Sequence, residues 1–138
     1  LKDALNTASA GSIIIILATD APLSDRNLTR LARRSFAGLA RTGASFTNGS
    51  GDYALAFSTA DSIRRTPERR CQLSTTLELP NALVSPLFQA AIEATEEAIY
   101  NSLCMATSLT GYQGHHAEAL PLDQVRAMGQ NATRADLK

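Results

Sequence analysis

A chain of 138 residues, 44% hydrophobic and 19% charged, has the make-up of one globular domain or a large piece of one, and this excludes a mostly disordered polypeptide. Its 13 basic and 13 acidic residues cancel, which removes the bulk electrostatic basis for gripping nucleic acid or an anionic membrane surface. No apolar run approaches the roughly 20 residues that a membrane-spanning helix needs.

Residues 1–11 (LKDALNTASAG) turn small and polar toward Ala8-Ser9-Ala10-Gly11 and read as a connector. Ser12 to Thr19 (SIIIILAT) is then a β-branched run of strand length. Both of its faces are apolar, so the expectation is a central strand covered on both sides. Asp20-Ala21-Pro22-Leu23 ends it with a turn, and Ser24 or Asp25 is placed to cap a helix over 24–41. There Leu28, Leu31, Ala32, Phe36 and Leu39 recur at helical spacing, and Thr42-Gly43 stops the helix. A Gly-rich loop, Asn48-Gly49-Ser50-Gly51-Asp52, leads into a strand from Tyr53 to Thr59 whose one face carries only Ala54, Ala56 and Ser58. That small face suits close approach by a packed layer. The Arg-rich segment 61–72 reads as a surface loop, and Leu73 to Leu79 as a further strand. Ser85-Pro86 opens a helix to about Ser108, with Leu87, Ala91, Ala94, Ala98 and Leu103 as its buried stripe. Gly111 to Glu118 reads as a loop. Pro121 starts a short last helix with Leu122, Val125 and Met128, and a frayed polar tail follows from Gly129. Cys71 and Cys104 are expected to be free, buried thiols.

Two places carry chemistry. The first is Gly11-Ser12, a residue without a side chain followed by a hydroxyl at the mouth of a strand. Ser12 Oγ can attack the Gly11 carbonyl, because glycine neither shields it nor restricts the backbone. An N-to-O acyl shift and hydrolysis of the ester would leave an N-terminal serine. Its α-amine, with a pKa of about 7.7–8.0, would be available as a base. Taken alone, Gly-Ser before a strand is commonly no more than a turn. The second place is Ser50-Gly51-Asp52. Residues two apart in an extended chain project to one side, so Ser50 and Asp52 can present a hydroxyl and a carboxylate to a common site. The plainer alternative is a Gly-rich hairpin loop, and Asn48-Gly49-Ser50 also matches a short glycosylation sequon.

The stretches GSIIIILATDAPLSDRNLTRLARRSFAGLARTGA and NGSGDYALAFSTA resemble the second subunit of the L-aminopeptidase/D-Ala-esterase/amidase family, which includes the β-aminopeptidases. LFQAAIEATEEAIYNSL and EALPLDQVRAM resemble that subunit's later helices, so the likeness spans residues 11–128. The resemblance implies a precursor that cleaves itself between Gly11 and Ser12. Ser12 would be the nucleophile in both cleavage and turnover, with Ser50 and Asp52 as the supporting catalytic serine and acid. Some members carry Glu where this chain has Asp52. The implied fold is an α/β (α+β) αββα sandwich of which this chain is the C-terminal portion, residues 12–138, with 1–11 as the tail of the preceding subunit. In the family that first subunit supplies most of the substrate wall, an Asn for the oxyanion and the acid that holds the substrate amine. The expected partner is therefore the N-terminal subunit of the same precursor, in a homo-oligomer of αβ pairs. The expected substrates are short peptides, amides or esters with a free amine, including β- or D-residues. The expected compartment is the cytoplasm, with the periplasm as the alternative.

Other features are weaker. His115-His116 and the Arg64–Arg70 cluster are expected to be solvated loop groups, Glu93, Glu96 and Glu97 a helix face, and Tyr112 has no motif around it. No cofactor or metal, and no nucleic-acid or membrane partner, is expected. Two rival readings stand: a self-cleaving acyltransferase or amide-oligomer hydrolase of similar architecture, which typically cleaves before Thr, and a non-catalytic fragment that acts only after assembly.

Overall fold

The computed structural model describes residues 11–135, and their side chains as far as residue 130. The expected connector 1–11 thus lies outside the described residues except for Gly11. The chain falls into two compact units, Leu1–Glu97 and Ala98–Lys138.

The first unit is built on a strand–helix–strand crossover. Strands β1 (Ile14–Thr19) and β2 (Tyr53–Ser58) pair in parallel, with Ile14 opposite Tyr53 and Thr19 opposite Ser58. Parallel strands cannot be joined by a tight turn, and helix α1 (Asp25–Arg41) supplies the long connection. The expected strands start or end one or two residues too generously, and the helix matches. Side chains alternate across the pair. Ile15 is buried, Leu17 and Ala56 pack against the core, and Ala54 and Ala56 face Leu28, Ala32 and Phe36 of α1. The small face of β2 does receive a packed layer. The other face is open: Ile14, Ile16, Tyr53, Leu55 and Phe57 form an exposed apolar row. Among the described residues, nothing covers the strand pair on this second side. A β-branched run reports that both faces are apolar and does not say which chain covers them.

Helix α1 begins at Ser24, whose backbone carbonyl accepts from the Leu28 amide at 2.8 Å. The Ser24 hydroxyl makes no cap; it donates to the Glu78 carboxylate instead. Asp25 in the first turn and Arg41 in the last suit the helix dipole. Gly43, at φ 94°, makes the left-handed exit that a side chain would strain.

Helix α2 is a single turn, Pro67–Arg70, within the expected loop. Arg69 ties that loop together by donating to the carbonyls of Asp61, Ser62 and Arg64 at 2.8, 3.0 and 3.1 Å. The strand expected at Leu73–Leu79 is absent; the segment has no regular structure and no strand partner among the described residues. It is anchored by Leu79 N–H on the Pro22 carbonyl at 2.8 Å and by Glu78, which also accepts from the buried Asn27 amide at 2.7 Å. Arg30 donates to the Asn27 oxygen at 2.8 Å, so this buried amide is satisfied at both ends.

Helix α3 (Ser85–Met105) follows a 3-10 turn at Asn81–Leu83. Leu23 and Val84 are fully buried and form the centre of the core with Leu31 and Ala91. Each such aliphatic side chain contributes about 1.5–3 kcal/mol by leaving water. The buried stripe of α3 runs through Leu87, Ala91 and Thr95, while Ala94, Ala98 and Leu103 are exposed. Alanines mark no direction on a helix, and the buried polar residue was Thr95, whose hydroxyl bonds back to the Ala91 carbonyl at 2.7 Å. Arg30 and Arg34 cover the Phe88 ring at 4.9 and 4.6 Å from its centroid.

In the second unit, β3 (Leu109–Thr110) and β4 (His116–Ala117) form a short antiparallel hairpin where a loop was expected. The Gly111 amide donates to the His115 carbonyl at 2.8 Å, and His116 Nδ1 lies 2.9 Å from Thr110 Oγ1. Helix α4 spans Leu122–Ala135, so the backbone stays helical well past Gly129. Cys71 and Cys104 are free as expected but exposed.

Gly38 fixes how closely α1 and α3 approach. A Cβ there would press into the Ile92 carbonyl oxygen and lie 2.9 Å from Thr95 Cβ. Gly38→Ala should therefore destabilise the intact protein by about 1–3 kcal/mol, despite alanine's better helix propensity. Urea unfolding checks this; equal or higher stability would show that the helices separate at no cost.

Candidate active site

The site grows out of the strand register. The Tyr53 amide donates to the Ile13 carbonyl at 2.9 Å, and the Thr59 amide to the Thr19 carbonyl at 2.8 Å. Both rungs join residues forty apart, so the next rung back would carry the Gly51 amide to the Gly11 carbonyl. That rung is missing. The Gly51 amide instead donates to Ser12 Oγ at 3.0 Å, and the Gly11 carbonyl accepts from the Ser50 hydroxyl at 2.6 Å. Ser50 Oγ also lies 2.8 Å from Asp52 Oδ1.

The residues expected at the site are thus brought together, with one change in how they meet. Ser50 and Asp52 point to the same side and bond to each other, as their spacing required. The described contact of the Ser12 hydroxyl is with the backbone between them, while Ser50 reaches the carbonyl on the other side of the Gly11–Ser12 bond. Ser12 lies two residues ahead of β1 and is exposed; Ser50 and Asp52 are half-buried. Gly49 and Gly51 were expected to let the backbone come close to a reacting group, but the Gly51 amide was not singled out as the donor. Its signal is present, because a glycine between two polar residues at strand spacing is where a backbone donor can come close to a reacting group.

The arrangement has chemical consequences. A hydroxyl donor 2.6 Å from a carbonyl oxygen polarises that carbonyl and stabilises the negative charge that grows on it during attack. Ser50 has one proton for two acceptors, so the Gly11 carbonyl and the Asp52 carboxylate compete for it. The adjacent Ser12 oxygen, oriented by an N–H, is the nucleophile available to the carbonyl.

Two larger cavities lie elsewhere. One of about 400 Å³ sits between α1 and β2, lined by Leu28, Ala32, Phe36 and Ala54. The other, of about 560 Å³, lies beside the Arg64–Arg69 loop. Neither includes Ser12, Ser50 or Asp52. Among the described residues no group of three or more His, Cys, Asp or Glu side chains converges on a point that would hold a metal, and no helix is long and apolar enough to cross a membrane.

A serine hydroxyl and its preceding carbonyl, held against a hydroxyl–carboxylate pair at a strand mouth, are groups suited to an N-terminal-nucleophile hydrolase. The chain belongs to peptidase family S58, whose model matches residues 1–117. It is 43% identical over 119 residues to the beta-peptidyl aminopeptidase BapA of Sphingosinicella microcystinivorans, covering 86% of this chain and 29% of that one. It is 36% identical over 126 residues to the enzyme of the same name from Sphingosinicella xenopeptidilytica, covering 89% and 30%. Among solved structures, the PH0078 protein from Pyrococcus horikoshii OT3 superposes with a TM-score of 0.79 at 44% identity, covering 95% of this chain and 36% of that one. The L-aminopeptidase D-Ala-esterase/amidase of Ochrobactrum anthropi, a serine aminopeptidase described as a new variant of the Ntn hydrolase fold, superposes with a TM-score of 0.79 at 32% identity, over 93% and 36%. The fold is of this Ntn type, and the chain spans about a third of the length of these relatives.

Ser50→Ala removes the hydroxyl that reaches the Gly11 carbonyl. Any cleavage of the Gly11–Ser12 bond by the Ser12 hydroxyl should slow by about 10²–10³, the usual effect of losing one oxyanion donor. Intact-mass measurements over time follow it, and cleavage at the parental rate would remove Ser50 from that role.

Proposed function

We propose that this chain is the nucleophile-bearing part of a self-processing serine aminopeptidase. The supporting observation is the pair of contacts on either side of one peptide bond: Gly51 N–H on Ser12 Oγ and Ser50 O–H on the Gly11 carbonyl. In processing, Ser12 Oγ bonds to the Gly11 carbonyl carbon and the Gly11–Ser12 C–N bond breaks. The hydroxyl proton ends on the departing Ser12 nitrogen, and water then splits the ester. Gly11 becomes a terminal carboxylate and Ser12 carries a free amine beside its hydroxyl.

In turnover the same oxygen attacks the carbonyl of a substrate's first residue. The Ser12 amine, with Ser50 and Asp52, handles the proton, the leaving amine or alcohol departs, and water releases the amino acid. Substrates are short peptides, amides or esters with a free amine, including β- or D-residues; the names of the relatives, beta-peptidyl aminopeptidase and L-aminopeptidase D-Ala-esterase/amidase, favour this range.

The partner is the remainder of the same precursor. Two facts support it: relatives are about three times as long, and the sheet leaves an apolar row uncovered, with Ile14 73% and Tyr53 69% exposed. Sheets bury such rows against one another. That remainder would also supply the substrate wall. The acyltransferase alternative has no observation in its favour, since the residue after the cleavage point is Ser12.

Ser12→Ala in the intact precursor should give a single uncut chain on a denaturing gel and no hydrolysis of a free-amine peptide amide. Processing of that variant to two chains would overturn the role given to Ser12. Acetylating the substrate amine should abolish hydrolysis by the parental enzyme; retained hydrolysis would make it an endopeptidase or general amidase.

A further inference from the structure

The backbone amide of Gly51 is the group whose behaviour the side-chain chemistry leaves unexplained. The parallel ladder runs from Thr59 back to Tyr53, and its next donor, Gly51 N–H, turns away from the Gly11 carbonyl to Ser12 Oγ. We propose that this diverted amide is a catalytic positioning group: it holds and orients the nucleophile's oxygen. The inference rests on Ser12 being the nucleophile.

Three observations carry it. The N···O distance of 3.0 Å is that of a well-formed hydrogen bond. An acceptor bond from an N–H fixes one lone pair of Ser12 Oγ and favours the oxygen when it carries negative charge, as it does on attack and again when it leaves the acyl-enzyme. Had the ladder continued, the Ser12 hydroxyl would have been left without this donor. The glycine itself has a second effect. A Cβ at position 51 would lie 3.5 Å from Ser12 Oγ and 3.7 Å from Tyr53 Cε2. Alanine therefore fits sterically but sits against the nucleophile, where water and substrate must approach.

The test replaces Gly51 by glycolic acid in the intact precursor, exchanging the amide for an ester and deleting only the N–H. Gly11–Ser12 cleavage should slow by about 10–100-fold. In protein that has been processed, kcat for a free-amine peptide amide should fall by a similar factor with KM little changed, as expected for a group acting on the reacting oxygen rather than on substrate binding. The same exchange at Gly49, outside the site, should leave processing unchanged and controls for the ester itself. Gly51→Ala, which keeps the N–H, should slow processing less than the ester does. Parental processing and kcat in the Gly51 ester would overturn the proposal, and so would an alanine variant impaired as much as the ester. If Ser12→Ala is still processed, the nucleophile assignment fails; if it is blocked while the ester is unaffected, only the amide's role fails.

Discussion

The parallel register of β1 and β2 is the constraint on which the site depends. A forty-residue offset between donor and acceptor brings residues 50–52 alongside 11–13 without any direct sequence signal linking the two segments. A slip of one residue would turn Ile15 and Leu17 away from the core and carry Ser12 past Gly51. The energetics of burial and the geometry of the reacting groups are thus set by the same alignment. The register itself is favoured by the inner face, where Ile15 is buried and Leu17, Ala56 and Leu28 of α1 pack against the core.

Behind that sheet, the scaffold is held by contacts that tolerate little adjustment. Gly38 lets α3 lie directly on α1, and Ser35 and Thr95 are buried at the same level with their hydroxyls satisfied by their own helices. At the other end of α1, Glu78 gathers Ser24 and Asn27, which joins the segment after α2 to the start of the helix. Removing one partner of such a buried polar group costs about 1–3 kcal/mol, more than an exposed ion pair such as Arg64–Asp61 contributes. Precision at the strand mouth depends on this rigid backing, because Ser12 lies outside the strand and is exposed.

Much of this was legible in the sequence. The run after Ser12 marks a strand, α1 has clear periodicity and stop signals, and Ser50 and Asp52 stand at strand spacing. What failed did so for physical reasons. Residues 73–79 have strand-like composition, but the segment is held by the Leu79 amide on the Pro22 carbonyl and by the Glu78 side chain rather than by a ladder. The hairpin at 109–117 has too few residues to show alternation. On α3 the sequence offered alanines at several faces, and only packing against Gly38 decides between them. The open sheet face could not be foreseen because apolar side chains declare a need for cover, not its source.

The proton count at Ser50 adds a last step. Its hydroxyl lies 2.6 Å from the Gly11 carbonyl and 2.8 Å from Asp52, and one proton cannot serve both. While it polarises the carbonyl, its proton is not available to the Asp52 carboxylate. While it donates to Asp52, the carbonyl is left without that donor. Under the proposed function, cleavage requires the first arrangement. Once Gly11 has left, the carbonyl acceptor of that bond is gone, and the Ser50 hydroxyl is free to donate to Asp52 until a substrate carbonyl takes Gly11's place. The same hydroxyl can therefore serve processing and turnover in succession, with Asp52 as the acceptor that holds its proton in the interval. In this arrangement the Gly11 carbonyl takes its donor from the Ser50 side chain, while the Gly51 amide is turned to Ser12 Oγ.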